Sequence, residues 1–368
     1  MTIASADRSA APPALSRHGF LAGLRGAISP RTMAAVAGVL LIQILFIASY
    51  VGAFHAPKPH RIPVAVAAPA AVATRAVAGL NGIAGQPVQA TAAPGQAPAR
   101  AQARSGQDAA ALVINPAGTT DTLLVASGGG VSEVTAVTQV LTQADASRHR
   151  SVTVQDVVPL QRGDVRGMTG FYLVIGWIIG GYLLAALLGV SGGAQPATTR
   201  RAASRLLSMI PYAVVSGLGG ALIVDQVLGA LTGHFLALWG VGTLLVYAAG
   251  AVALAFQALA GILGIGLTVL VFVVAGNPSA GGAYQPAMLP PFWRAISYAL
   301  PNGAGTDAIR RIIYFAGQGI TGHLLVISAW LAAGVLVTLG ASLLRAKSES
   351  RPTPSVGAPA RPTIGEIS

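Results

Sequence analysis

Asp225 is the only acidic residue inside an apolar stretch of this chain, and Gln226 stands beside it. A carboxylate within a membrane helix is costly, and it marks a proton carrier, a substrate contact or a helix-pairing group. Counted from Leu207 at about 1.5 Å per residue, Asp225 lies roughly 27 Å along the helix, close to an interface where ionisation costs less. Asp225 and Gln226 are therefore candidates for a pathway wall, with interfacial pairing as the competing expectation. Arg200, Arg201 and Arg205 crowd a short interval between two apolar runs. Such a cluster either makes charge-assisted hydrogen bonds to a partner or orients the flanking runs. Pro290, Pro291, Arg294 and Arg310 occupy a second interval and are candidates for a pathway or outer gate. Proline removes a backbone donor and breaks helices, while the arginine stems cover apolar surface with the guanidinium left wet.

Other chemistry finds no residues to carry it. The phosphate-cradling pattern Gly-x4-Gly-Lys-Ser/Thr does not occur, nor does the zinc motif His-Glu-x-x-His. There are no cysteines, which removes thiolate ligands, thiol nucleophiles and disulfides. Val215-Ser216-Gly217 offers a serine without an evident base. No catalytic, cofactor-binding or metal-ligating residue is expected, and the chain is not read as an enzyme.

The elements that must position these residues are six apolar runs, about 33–54, 169–190, 207–230, 235–255, 257–276 and 322–344, uncharged apart from Asp225. Each can cross a hydrocarbon core of roughly 30 Å as a helix. Charged residues form 9% of the chain and mean hydropathy is +0.66, values that exclude a soluble globular class. The expected fold is an α-helical polytopic membrane protein with six transmembrane helices, one plus five, and a small extracytoplasmic α/β domain between the first and second. The first run is too long for a signal-peptide core and is read as a retained anchor. The 235–276 region carries no charge and is split by a turn near Phe256 and Gln257.

The net charge of +12 suggests nucleic acid, but its distribution does not. Arg8, Arg17, Arg25 and Arg31 precede the first run, the 191–206 loop holds its three arginines, and Arg345, Lys347, Arg351 and Arg361 follow the last. Those places share one side if all six runs span, and that side is cytoplasmic. Both termini are then cytoplasmic, residues 55–167 and 277–321 lie outside, and the protein is multi-pass in the cell membrane, with the lipid bilayer as partner and no nucleic acid.

Boundaries follow. Residues 1–30 form a cytoplasmic segment in which 15–28 has the spacing of an amphipathic helix, weakened by glycines. Residues 31–54 are the first span and 55–167 the α/β domain. A membrane domain covers 168–345 and includes an outer re-entrant segment, 277–321, whose apolar patches at 288–293 and 308–315 are too short to span. Residues 346–368 are a disordered tail. Within 55–167 the alternation predicts strands near 62–67, 86–92, 110–114, 122–126 and 151–158, with helices near 70–84, 97–105 and 131–146.

One stretch is more specific. Gly276-Asn277-Pro278-Ser279, then Met288-Leu289-Pro290-Pro291-Phe292-Trp293-Arg294, Leu300-Pro301-Asn302-Gly303-Ala304 and Ala308-Ile309-Arg310 resemble the last part of ABC-2-type transporter membrane subunits. The likeness is to the branch containing the YhgE/Pip (phage-infection-protein-like) membrane proteins. Ile62-Pro63-Val64-Ala65-Val66, Ala110-Ala111-Leu112-Val113-Ile114-Asn115-Pro116, Gly163-Asp164 and Gly170-Phe171-Tyr172 extend it over about residues 31–345. Many members of the branch have a longer outer domain. The resemblance implies a permease subunit of an exporter that moves an unidentified substrate outward. It works as a homo- or heterodimer with a separate ATPase subunit, which Arg200, Arg201 and Arg205 would contact. The alternative is a non-transporting membrane protein that displays the outer domain, receptor-like or secretion-accessory.

Overall fold

The computed structural model describes residues 29–349. The expected amphipathic helix at 15–28 and the tail beyond Glu349 lie outside the described residues. Helix α1 runs Pro30–Phe54, and the chain divides into two compact units inside it, between Ala48 and Ser49.

An α/β domain follows in the order β1 (Ile62–Ala67), α2 (Ala70–Asn81), β2 (Val88–Ala93), α3 (Gln96–Arg104), β3 (Ala110–Val113), β4 (Thr120–Val125), α4 (Val131–Ala146) and β5 (Ser151–Asp156). The sheet order is β2-β1-β3-β4-β5. β1 pairs in parallel with β2 and β3, β3 is antiparallel to β4, and β4 is parallel to β5. Alternation divides the central strands between two faces. Ile62, Val64, Val66, Leu112, Leu123 and Val125 pack under α2 and α4, through Leu80, Val137 and Leu141 among others. Ala65, Ala67, Ala111 and Leu124 meet the small residues Ala99 and Ala103 of α3, with Val113 and Val157 packed beside them. Helix α4 forms where the sequence predicts it because Ala136, Val137 and Leu141 recur at helical spacing on the buried side.

The helical body comprises α5 (Thr169–Gly192), α6 (Thr199–Leu222, with a π turn Ile223–Val227), α7 (Phe235–Ala260), α8 (Leu263–Val269, continued by a π segment Leu270–Gly276 and Asn277–Ser279) and α11 (Thr321–Glu349). Before α11 come a single 3-10 turn, Pro286–Met288, and two short helices, α9 (Pro291–Ala299) and α10 (Pro301–Tyr314). Helix α7 is central: α5, α6 and α11 all pack along it, and its middle is built of small buried residues, Ala248 to Ala251. Close approach of this kind is how apolar helices associate without a hydrophobic driving force. Among the described residues five helices are long and apolar enough to cross a membrane: Thr32–Phe54, Thr169–Gly192, Thr199–Val227, Phe235–Ala260 and Thr321–Lys347. The sixth expected run is a shorter apolar helix, Leu263–Ser279.

Two boundaries are corrected. The turn expected at Phe256 and Gln257 lies instead at Gly261, whose φ of +62° stops α7 as a left-handed residue. Gln257 stays helical and buried, against Gly189 of α5. The expected 191–206 loop is only the connection before α6. Thr198 accepts the Arg201 N–H at 3.2 Å and starts the helix, so Arg200, Arg201 and Arg205 lie in its first two turns.

Candidate functional site

Residues 284–289 join the α/β domain to the helical body by main chain, side chain and core packing together. His60 N–H donates to the Ala287 carbonyl at 2.9 Å and Lys58 N–H to the Met288 carbonyl at 3.1 Å. The Met288 side chain is part of the sheet's hydrophobic core. Gln285, 4% exposed, serves as the cap that α4 lacks in its own sequence. Its Oε1 accepts the Ser132 N–H at 3.1 Å, the Glu133 N–H at 3.3 Å and the Ser132 hydroxyl. A helix start leaves unpaired N–H groups that need such an acceptor. Position 130 has φ +156° and no room for a Cβ beside the Gln285 side chain, so glycine is required there. The expected apolar patch at 288–293 is thus split: Met288 enters the α/β core, and Pro290 and Pro291 begin α9, where proline's missing donor costs nothing.

Around this joint lies a cavity of about 790 Å³. From the body, α10 contributes Asp307, Arg310 and Arg311, α9 contributes Arg294 and Tyr298, and α11 contributes His323. From the domain come Arg61, Asp108 and Glu133. The fate of each charge differs. Arg310 is buried, with Nη1 on Asp307 Oδ1 at 2.7 Å and Nη2 on the Gly281 carbonyl at 2.9 Å. The expectation of a wet, snorkelling Arg310 is corrected: α10 is buried on most sides, and its guanidinium finds protein acceptors. Asp307 Oδ2 is 3.6 Å from His323 Nε2, to which Arg311 Nε donates at 3.3 Å while its Nη1 holds the Gln318 carbonyl at 3.0 Å. His323 is therefore part of this cluster. Glu133 accepts the Ala287 N–H, and burial lifts its carboxyl to about 7, with Arg310 opposing and Asp307 reinforcing the rise.

Two groups are left over. Asp108 is 7% exposed and its carboxylate has no hydrogen-bond or ion-pair partner among the described residues; burial raises its pKa. Arg294 gives Nη2 to the Leu289 carbonyl at 2.9 Å, but its Nε–H is buried without an acceptor.

No family model, curated protein or solved structure matches this chain. The cavity must be read from its own chemistry. It combines unspent donors and acceptors with the Phe315 and Tyr298 rings, the mix of apolar wall and few polar groups found in ligand sites. No group of three or more metal-ligating side chains occurs among the described residues.

The other candidate residues lie elsewhere. Asp225 is buried in the π turn that ends α6, Gln226 beside it is exposed, and neither lines the cavity. Asp225 was expected close to an interface, as a pathway or helix-pairing group; it lies in the turn that ends α6 and is buried there beside buried Val224. Arg205 gives Nη2 to the Gly192 and Gly193 carbonyls, each at 2.8 Å, closing the carbonyl end of α5. Arg200 and Arg201 are exposed. Arg345 reaches the Ala258 carbonyl, and Gln195 lies against Gly261, so the α5–α6 connection, the α7–α8 turn and the end of α11 form one end of the body. At the opposite end Asp164 accepts both the Thr169 N–H that opens α5 and the Tyr314 hydroxyl, at 2.9 and 2.7 Å.

Sequence reasoning found Arg294 and Arg310 but not Asp108, Glu133, Gln285, Asp307 or Arg311. One local signal was present: Asp307 and Arg310 stand at i, i+3 on a helix.

Proposed function

We propose that this chain is the membrane-spanning permease subunit of an ABC-2-type exporter, moving its substrate outward with the help of a separate ATPase subunit and working as a dimer. The observation that carries the reading is the polarity of the helical body. The α/β domain and the 277–321 segment lie at one end, and Arg200, Arg201, Arg205 and Arg345 gather at the other. Under the positive-inside rule the arginine end faces the cytoplasm. The long apolar helices then span the cell membrane, the 17 residues of Leu263–Ser279 complete a sixth crossing, and the α/β domain stands outside. Helices α9 and α10 form the re-entrant segment, their backbone shielded by α5, α7 and α11. The motif likeness around Asn277, Pro290 and Arg310 supports the same family, and the missing phosphate loop is why the ATPase sits on another chain.

Arg205 is engaged within the chain, so the ATPase contact falls to Arg200 and Arg201. Affinity purification from the native membrane tests the proposal: an ATPase subunit should co-purify. The Arg200→Gln, Arg201→Gln double variant should insert normally yet lose at least tenfold of its transport-coupled ATP hydrolysis. Full activity in that variant would reduce the two arginines to topological signals. Absence of any nucleotide-binding partner would favour the reading in which the chain only displays its outer domain.

A further inference from the structure

The polar groups around the junction cavity can be divided into those already satisfied and those left open. Arg310 is neutralised by Asp307 and held by the Gly281 carbonyl. Arg311 is committed to Gln318 and His323. Glu133 accepts a main-chain N–H. What is left is the Asp108 carboxylate and two arginines without a carboxylate partner among the described residues, the part-buried Arg294 and the exposed Arg61. A buried ion without a partner costs free energy, and the cost is recovered when a ligand supplies the partner. Asp108 belongs to the α/β domain and Arg294 to α9, so each side of the junction contributes one of them to the cavity lining. A cation alone would satisfy Asp108 but leave Arg294 unused among three further arginines. An anion alone would do the reverse.

We infer that the cavity binds a small zwitterion, an amino acid or short peptide, with its ammonium on Asp108 and its carboxylate on Arg294. The volume of about 790 Å³ suits a ligand of that size, and Phe315 and Tyr298 supply apolar wall for a side chain. The inference concerns binding alone and stands whether or not the chain transports.

Equilibrium dialysis of the full-length protein in lipid nanodiscs tests it, with L-alanyl-L-alanine as probe. N-acetyl-dialanine lacks the ammonium, and dialanine amide lacks the carboxylate. Dialanine should bind saturably, and each capped form should bind at least tenfold more weakly. Asp108→Asn, which preserves shape, should weaken dialanine to the same degree and leave N-acetyl-dialanine no weaker than it binds the unaltered protein. Arg294→Gln should act in the same way toward the amide. No saturable binding of dialanine, or binding indifferent to both caps, overturns the proposal. The caps decide the matter without any variant, so a folding defect in Asp108→Asn leaves the test intact. The ATPase is not needed for it, so a failed transport reading does not touch the result.

Discussion

Two buried charge clusters in this molecule are built to opposite ends. In the α/β domain, Asp121 is 1% exposed and fully answered: Arg150 Nε and Nη2 reach it at 2.8 and 2.5 Å, and the Asn115 N–H at 2.8 Å. Arg150 also gives hydrogen bonds to the Gly118 and Asn115 carbonyls, tying the β3–β4 loop to the start of β5. At the junction cavity, Arg310 and Asp307 are paired in the same manner, but Asp108 and the Arg294 Nε–H are not. The Asp121–Arg150 pair is saturated and fixes a fold, although the neighbouring Asp145 Oδ2 is buried without a partner. A carboxylate and an arginine that line a cavity without an acid–base partner are available to a ligand.

The sharpest way to break the comparison is at the saturated Asp121–Arg150 pair. Asp121→Ala removes the acceptor of the Asn115 N–H and of Arg150 Nε, leaving Arg150 only its two carbonyl contacts, and a donor left without its acceptor destabilises the fold. Thermal unfolding should show a large drop for it and a small one for Asp108→Asn, which removes no contact. A smaller effect is expected at the joint. Gln285→Ala uncaps α4 and should cost about 1 kcal/mol, the usual worth of a helix cap, and it should speed proteolysis between the α/β domain and the body.

The smallest effect depends on pH. Asp145 lies next to Asp121, and burial, followed by the Asp121 charge, raises its carboxyl to about 6. Asp121 itself is lowered: burial pushes its pKa upward, but the hydrogen bonds from Arg150 and Asn115 outweigh that push. For Asp145 the folded state holds the proton more tightly than the unfolded chain. Its stabilising contribution is complete below the ordinary carboxylate range and is lost as pH rises through about 6. Asp145→Asn should therefore gain melting temperature over the unaltered protein above pH 6 and show no gain near pH 4. A constant difference across that window would mean that Asp145 does not titrate there.

Much of this architecture was legible in the sequence, for reasons that can be named. α2 and α4 declare themselves because helical spacing matches their buried side, and Val131–Ala146 is bounded as expected. The runs that became α5, α7 and α11 needed only length and apolarity. Connections were harder. Gly261 and Thr198 decide where α7 stops and α6 starts, and either cap has weight only against the competing apolar pattern. The cavity was mostly hidden. Met288 and Gln285 look like part of an apolar loop until tertiary packing gives one to the sheet core and the other to the start of α4. Asp108 carries no local signal, since its isolation exists only once β3 and the 277–321 segment are brought together.

The central claim is that the α/β domain with its cavity faces outward while the arginine-bearing connection faces a cytosolic ATPase. The native chain has no cysteine, so single introduced thiols report without background. Gln143→Cys places one on an exposed site of α4, and Ala197→Cys places one in the exposed connection before α6. In intact cells a membrane-impermeant maleimide should label the Gln143→Cys protein at once and the Ala197→Cys protein only after permeabilisation. The reverse pattern, or equal labelling of both in intact cells, would contradict the account.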